Sequence, residues 1–397
     1  MAAAGENPLR DDPRSGRRLR KGRHVETEQP TTVHTGETGD PHLGVPATSG
    51  TDVIAVVGAC TPERREYARR LAASRHMTLV PAGQLAGPAD PDETLRSALA
   101  LNTRVPGSTG LVLEYPVETS ARSIVADHTH EGSPTRLREL ICIVDAAHLL
   151  ADLTTTAHVP LGRSDAEGTP LTAPRAELIV TQIEFASTVV LTNCSLLRRE
   201  EQDALRSLTS HLSPEAHVEL ASVTRRADYP NPGAGYATAP YTREQTRPGW
   251  IALLNDEFAP QHRHSRVSAL RYEQMRPFHP RRLARALQSH EALGRGRLLR
   301  SVGFCRLCSR PHITAQWGQV GGSFSLTPAA LDSRLTAADE PLALGQDLAL
   351  IGLDLDLRQL AEALDAAALT DAELLAGPEA WRTYPDPFPA WRGADQR

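Results

Sequence analysis

The chain has 397 residues, 40% of them hydrophobic, too long for one packed core and apolar enough to fold as about two domains. A formal charge of −5, from 43 basic and 48 acidic side chains, excludes a protein that coats nucleic acid through bulk charge. Five cysteines in so long a chain do not make a disulfide scaffold. The sole lysine is Lys21, the other basic residues being arginine. Schiff-base chemistry and phosphate binding by a P-loop lysine are therefore excluded from the folded part.

Residues 1–50 are rich in Gly, Pro, Thr and charge without apolar periodicity, which predicts a disordered tail. They lack the apolar stretch of a secretory signal, and no run of about 18 apolar residues follows. A cytoplasmic protein that does not engage membrane is expected. The basic cluster RSGRRLRKGRH (14–24) is the one segment suited to RNA or an acidic partner.

From Asp52 the texture changes. VIAVVGA predicts a buried strand ending at Gly58, and PERREYARRLAASRH a helix with Tyr67 and Leu71 on one face. Further apolar strands end near Glu114 (GLVLEYP), at Asp145 (ELICIVDA) and at Asn193 (ASTVVLTN), with a helical crossover over 174–185. Apolar strands alternating with helices predict an α/β domain over 51–226 with a doubly wound, mostly parallel sheet. Such sheets bind ligands at the carboxyl ends of their strands. The Pro, Gly and Thr content of 227–255 predicts a linker.

Residues 256–376 predict a smaller α+β domain with an open antiparallel sheet, followed by a tail over 377–397. Its strands are expected at 267–274, 298–307, 313–317 and 347–353, with a turn at Gly321-Gly322. Helices are expected from Pro280 up to Gly294, over 357–367, and after the capping box Thr370-Asp371-Ala372-Glu373. Cys305-x2-Cys308-x3-His312 is the one short cluster with zinc-ligand chemistry. Residues i and i+3 of a regular strand face opposite ways, so both thiols converge only if the strand ends near Leu307. His262, His264 and His279 are further candidates to complete such a site.

RYEQMRPFHPRRL (271–283), LLRSVGFCRL (298–307), QWGQVGG (316–322), QDLALIGLDLD (346–356), LTDAEL (369–374) and DPFPAW (386–391) together resemble the C-terminal domain of the CobW-like metallochaperone GTPases. The first domain is similar to that family's P-loop GTPase domain in layout. The resemblance implies GTP and a nucleotide site, zinc as the metal, and a metal-client protein as partner. A P-loop needs G-x-x-x-x-G-K-[ST], whose glycines, lysine and hydroxyl wrap phosphates and hold Mg²⁺. Counted from Gly58, the last three positions are Glu63, Arg64 and Arg65, and Pro62 removes one N–H donor. In the family's N-K-x-D motif Asn193 remains, with Cys194 and Leu196 in place of Lys and Asp. Glu118-Thr119-Ser120 resembles the family's E-T-S-G segment with Ala121 in place of Gly, and Glu114 competes for the same role. The C-x-C-C metal motif is missing, since no cysteine lies between Cys60 and Cys142.

The leading expectation is a metal-binding or regulatory protein of zinc homeostasis that has lost GTP turnover. Gly58, Arg64, Asp145 and Asn193 are its residual nucleotide-site residues, Cys305, Cys308 and His312 its metal candidates, and no residue is catalytic. The alternatives are an active GTP-binding metallochaperone with a divergent loop, using Arg64 and Asp145, or a protein- or RNA-binding adaptor.

Overall fold

A computed structural model describes residues 50–86, 91–164, 168–221, 241, 247–289, 296–334 and 345–391. Residues 1–49 of the expected tail (1–50) with its basic cluster, residues 222–226 at the end of the expected first domain, and residues 227–240 and 242–246 of the expected linker lie outside the described residues.

The first domain runs β1 (Thr51–Val57), α1 (Thr61–Arg75), β2 (Thr78–Val80), α2 (Ala82–Leu85), α3 (Pro91–Arg104), β3 (Leu111–Glu114), α4 (Ala121–Thr129) and β4 (Thr135–Asp145). After α5 (Leu149–Thr154) comes a hairpin of β5 (His158–Ser164) and β6 (Pro170–Pro174), then α6 (Arg175–Glu184), β7 (Thr188–Thr192), α7 (Arg199–Leu212) and β8 (His217–Leu220). The six-stranded sheet has the order β2-β3-β1-β4-β7-β8 with every pairing parallel. β1 is central because Val53 through Val57 are buried on both faces, as a parallel strand covered by helices must be. α1 turns Tyr67, Ala68, Leu71 and Ala72 to the sheet and stops at His76, whose left-handed conformation closes the helix. β2 and β8 were not legible from pattern, being short edge strands with few apolar residues.

α6 differs from the other helices in being buried along most of its length, from Ala176 and Leu178 to Glu184. It packs against α5 and α7 within the first domain and against the second sheet. A helix apolar on nearly all sides is one covered on all sides.

A short helix, α8 (Gly249–Leu254), packs on α7 and on the second sheet, so the expected linker ends several residues earlier than its composition implied. The second domain follows as β9 (Val267–Gln274), α9 (Pro280–Gln288), β10 (Arg297–Cys305), β11 (Ile313–Val320), β12 (Ser323–Leu331), β13 (Gln346–Leu353), α10 (Leu357–Ala367) and α11 (Asp371–Trp381), the last kinked at Gly377. Its five strands form an antiparallel sheet in the order β12-β11-β10-β13-β9.

Except at its edge strand β12, this sheet is covered on both sides. Phe278, Trp317, Leu350, Leu360 and Leu364 build a core between the sheet and its helices. Leu299, Val320, Ile351 and Leu353 instead join the core of the first domain. The domains therefore share hydrophobic interior. The β11–β12 turn contributes to the junction: Gly321, at φ +51°, lies so close to the Leu153 carbonyl that a Cβ would clash.

The expected tail from residue 377 is corrected in part. α11 runs through Trp381, and residues 386–391 lie on the second sheet. Asp386 pairs with Arg310 at 2.9 Å, that guanidinium lies 4.0 Å from the Trp391 ring, and the indole N–H donates to the Leu326 carbonyl. Residues 392–397 lie outside the described residues. No described helix is long and apolar enough to cross a membrane.

Candidate functional site

The four residues expected at the nucleotide site do gather at one place, the carboxyl edge of the parallel sheet where β1, β4 and β7 end. Each is held by the chain itself. The β1–α1 connection is short: Gly58, Ala59 and Cys60 separate strand from helix, and the Arg64 N–H already donates to the Cys60 carbonyl at 2.9 Å. The backbone amides that a longer loop would turn toward phosphate are thus partly committed to helix. Gly58 (φ +136°) is required by the close approach of β4, because a Cβ there would strike the Ile143 carbonyl.

Arg64 points inward. Its side chain is 3% exposed; Nε bonds Glu114 at 3.1 Å and a terminal nitrogen donates to the Gly58 carbonyl. Glu114, 1% exposed at the end of β3, also accepts from the Ala82 N–H at 3.3 Å. The guanidinium at the lysine position therefore neutralises a carboxylate of its own fold. Asn193 adopts a left-handed conformation after β7, and its amide donates to Glu63 at 3.3 Å. Glu63 sits in the first turn of α1, where the helix dipole favours a negative charge.

Asp145 anchors a turn. One oxygen accepts from the Ala147 N–H at 2.9 Å and the other pairs with His148 Nδ1 at 2.7 Å, which raises the His148 pKa. Cys60, hydrogen-bonded to the Ile143 carbonyl, has its thiol pushed up to about 12, by burial first and then by the Glu63 and Asp145 charges. Such a thiol is a poor nucleophile and a poor metal ligand at neutral pH. This donor set fits an internal ion-pair network. The guanidinium at the lysine position is engaged by Glu114 and the Gly58 carbonyl rather than open to a phosphate, and the asparagine amide makes one contact, to Glu63.

The segment at Glu118-Thr119-Ser120 is tied from below. Gln182 of α6 is fully buried and its Nε2 donates to the Val117 and Thr119 carbonyls, each at 3.2 Å. Two residues on, Glu184 pairs with Arg300 of β10. Neither Gln182 nor this pair was anticipated. The available signal was a charged or amide residue inside an apolar run, LIVTQIEF and LLRSVGF, which needs a buried partner.

The metal candidates are not brought together. Cys305 ends β10 and Cys308 lies in the following turn, both fully buried. Burial raises the Cys305 pKa and pushes the Cys308 thiol up to about 12. His312 is largely exposed and bonded to Arg382 at 3.0 Å. Among the described residues no three of His, Cys, Asp and Glu form a group able to hold a metal. The reason is local: the turn packs against Phe278, whose carbonyl accepts the Cys308 N–H, and this fixes the thiols in the core. Of the other candidate histidines, His279 caps α9 and stacks on Tyr384, and His264 Nδ1 accepts from the Arg266 N–H at 3.3 Å, while His262 is held through its backbone by Ser207 and Ser210.

The cobalamin synthesis protein cobW C-terminal domain matches residues 267–368. A curated relative, zinc-regulated GTPase metalloprotein activator 1 of Dictyostelium discoideum, is 27% identical over 236 residues. That match covers 53% of this chain and 48% of the relative, so the chain spans about half the length of the relative it matches. Among solved structures, the Zn(II)-bound YjiA GTPase from E. coli aligns with 13% identity and a TM-score of 0.33. A zinc-bound triple mutant of YjiA aligns with 13% identity and a TM-score of 0.31. Each alignment covers 81% of this chain and 99% of the other. The motifs legible in 271–374, the antiparallel sheet they build and the match over 267–368 agree, and the second domain is similar to the cobW C-terminal domain.

Proposed function

We propose that this chain acts in metal homeostasis, with zinc as the metal, as a regulatory partner of a client protein, and that its first domain is a scaffold that does not turn over GTP. One observation carries the reading: the Arg64 guanidinium is buried between Glu114 and the Gly58 carbonyl, so the lysine position is committed inside the fold. The curated relative, named as a zinc-regulated GTPase metalloprotein activator, supplies the choice of zinc and of a client. The absence of a hydroxyl at Arg65 supports the loss of Mg²⁺ binding, and the Glu63 carboxylate would repel phosphate.

The test is thermal unfolding of the full chain with and without GTP and Mg²⁺, alongside steady-state hydrolysis. A ligand that binds the folded state at 100 times its Kd stabilises by about 2.7 kcal/mol, so saturable binding would be visible. No shift and no turnover are expected. A GTP-specific shift with hydrolysis abolished by Arg64→Ala would replace the reading with that of an active GTPase with a divergent loop. Metal analysis of the chain beside a folded Cys305→Ser/Cys308→Ser variant addresses zinc. Stoichiometric zinc lost only in that variant would restore the cysteine pair as ligands, against the geometry described above.

A further inference from the structure

A cleft of about 330 Å³ opens between the two domains, beside the turn that Asp145 anchors. Its volume falls in the range of about 300–1,000 Å³ usual for small-ligand pockets. Its wall is apolar: Leu150 of α5, Leu197, Leu205 of α7 and Leu353 of β13. The wall is also held in place. Gln202 donates to the Cys194 and Leu197 carbonyls at 2.8 and 3.0 Å, fixing the turn after β7, and Leu353 closes a strand paired with β10.

The charges around the cleft are unequal in their commitments. Arg266 and Asp354 form a bidentate pair, Nε to Oδ1 at 3.0 Å and Nη2 to Oδ2 at 2.7 Å. Glu201 is taken by the N-terminal capping box of α7, accepting from the Arg198 backbone at 2.9 Å and its side chain at 3.1 Å. Arg297, at the start of β10, lines the same cleft and is exposed; its charge acts on the nearby Asp354, yet its guanidinium makes no hydrogen bond or close ion pair among the described residues. An apolar wall with preset, internally paired acids and one open guanidinium is complementary to a single kind of ligand.

We propose that this cleft binds an apolar carboxylate, the alkyl group against the leucine wall and the carboxylate on Arg297. Charge-assisted hydrogen bonds from an arginine fork suit that anion. The same chemistry is presented by a free aliphatic acid and by the C-terminal leucine of a polypeptide. The lining includes none of Gly58, Arg64, Asp145 and Asn193, so the proposal does not rest on whether GTP binds.

Calorimetric titration of the full chain tests it with four probes: N-acetylleucine, N-acetylleucine amide, a hexapeptide ending in leucine, and that hexapeptide amidated. The carboxylates should bind and the amides should bind at least about tenfold more weakly, the scale of one lost charged hydrogen bond. Arg297→Gln should erase the preference for carboxylate with an unchanged melting temperature, the side chain being exposed. Leu150→Trp should weaken both carboxylates by filling the cleft, a second readout should Arg297→Gln fold poorly. Stronger binding of the hexapeptide than of N-acetylleucine would assign the polypeptide source, and the reverse the free acid. Absence of carboxylate binding at millimolar concentration, equal affinity for acid and amide, or an Arg297→Gln variant that binds as wild type would overturn the proposal.

Discussion

Glu184 at the end of α6 and Arg300 on β10 meet in two parallel hydrogen bonds, Nε to Oε1 at 2.7 Å and Nη2 to Oε2 at 3.1 Å, with 1% and 4% of the side chains exposed. The pair crosses the junction between the two sheets. Replacing both partners by apolar residues of similar size is often neutral, whereas removing one strands a buried charge at a cost of about 3–5 kcal/mol.

Arg300→Met should therefore lower stability by about 3–5 kcal/mol, and adding Glu184→Leu should recover much of the loss. Burial holds the Glu184 carboxyl above its ordinary range, and Arg300 opposes that shift. Without Arg300 the folded protein keeps a proton that the unfolded chain releases, so the stability deficit of Arg300→Met should shrink as pH falls from about 8 to about 5. Urea unfolding at both pH values checks this; a deficit independent of pH would mean that Glu184 finds another cation.

Arg64→Lys should not be a silent change. An ammonium on a flexible stem cannot reproduce the bonds from one planar group to both Glu114 and the Gly58 carbonyl. A loss of about 1.5–3 kcal/mol, one hydrogen bond to a charged group, is expected in denaturant unfolding. A variant as stable as wild type would show the pair to be dispensable.

The buried thiols should be inert. Cys142, Cys305 and Cys308 are fully buried and burial raises all three pKa values. A disulfide reagent at pH 8 should modify none of them in the native chain, and all should react in urea. Fast native reaction at Cys308 would mean that its turn opens.

Glu373 links the last helix to the sheet. It completes the Thr370 capping box and pairs with Arg282 at 2.7 Å, and its pKa is lowered to about 2, chiefly by the Arg282 hydrogen bond. A depressed folded value stabilises above the ordinary carboxylate range, and the contribution is lost as pH falls through the folded value. Glu373→Gln should cost about 1 kcal/mol near neutrality and nothing once wild-type Glu373 is itself protonated. Stability curves for the two proteins from pH 7 downward should converge; parallel curves would place the effect elsewhere.

Much of the architecture was legible because its signals are local. The apolar runs ending at Gly58, Asp145 and Asn193 became β1, β4 and β7, and the capping box at Thr370 starts α11 where expected. β12 was not expected, since Ser323–Leu331 alternates weakly and is largely exposed. The candidate site was legible only as a location. Sequence placed Arg64 at the lysine position, but its partner Glu114 lies 50 residues away on a parallel neighbour of β1, a distance that no periodicity encodes. The zinc cluster failed for the complementary reason: Cys305-x2-Cys308 gives spacing, while burial against Phe278 decides where the thiols point.

The position of Gln182 two residues short of the helix end has a dynamic consequence. Its amide grips the Val117 and Thr119 carbonyls, and Glu184 grips β10. Hydrogen exchange in segment 115–120 should then be governed by the same opening event as exchange in β10, although the two lie more than 170 residues apart in the chain. Loosening the C-terminal turn of α6 would raise exchange at both, so the peptide segment 115–120 and the second sheet would lose protection in step.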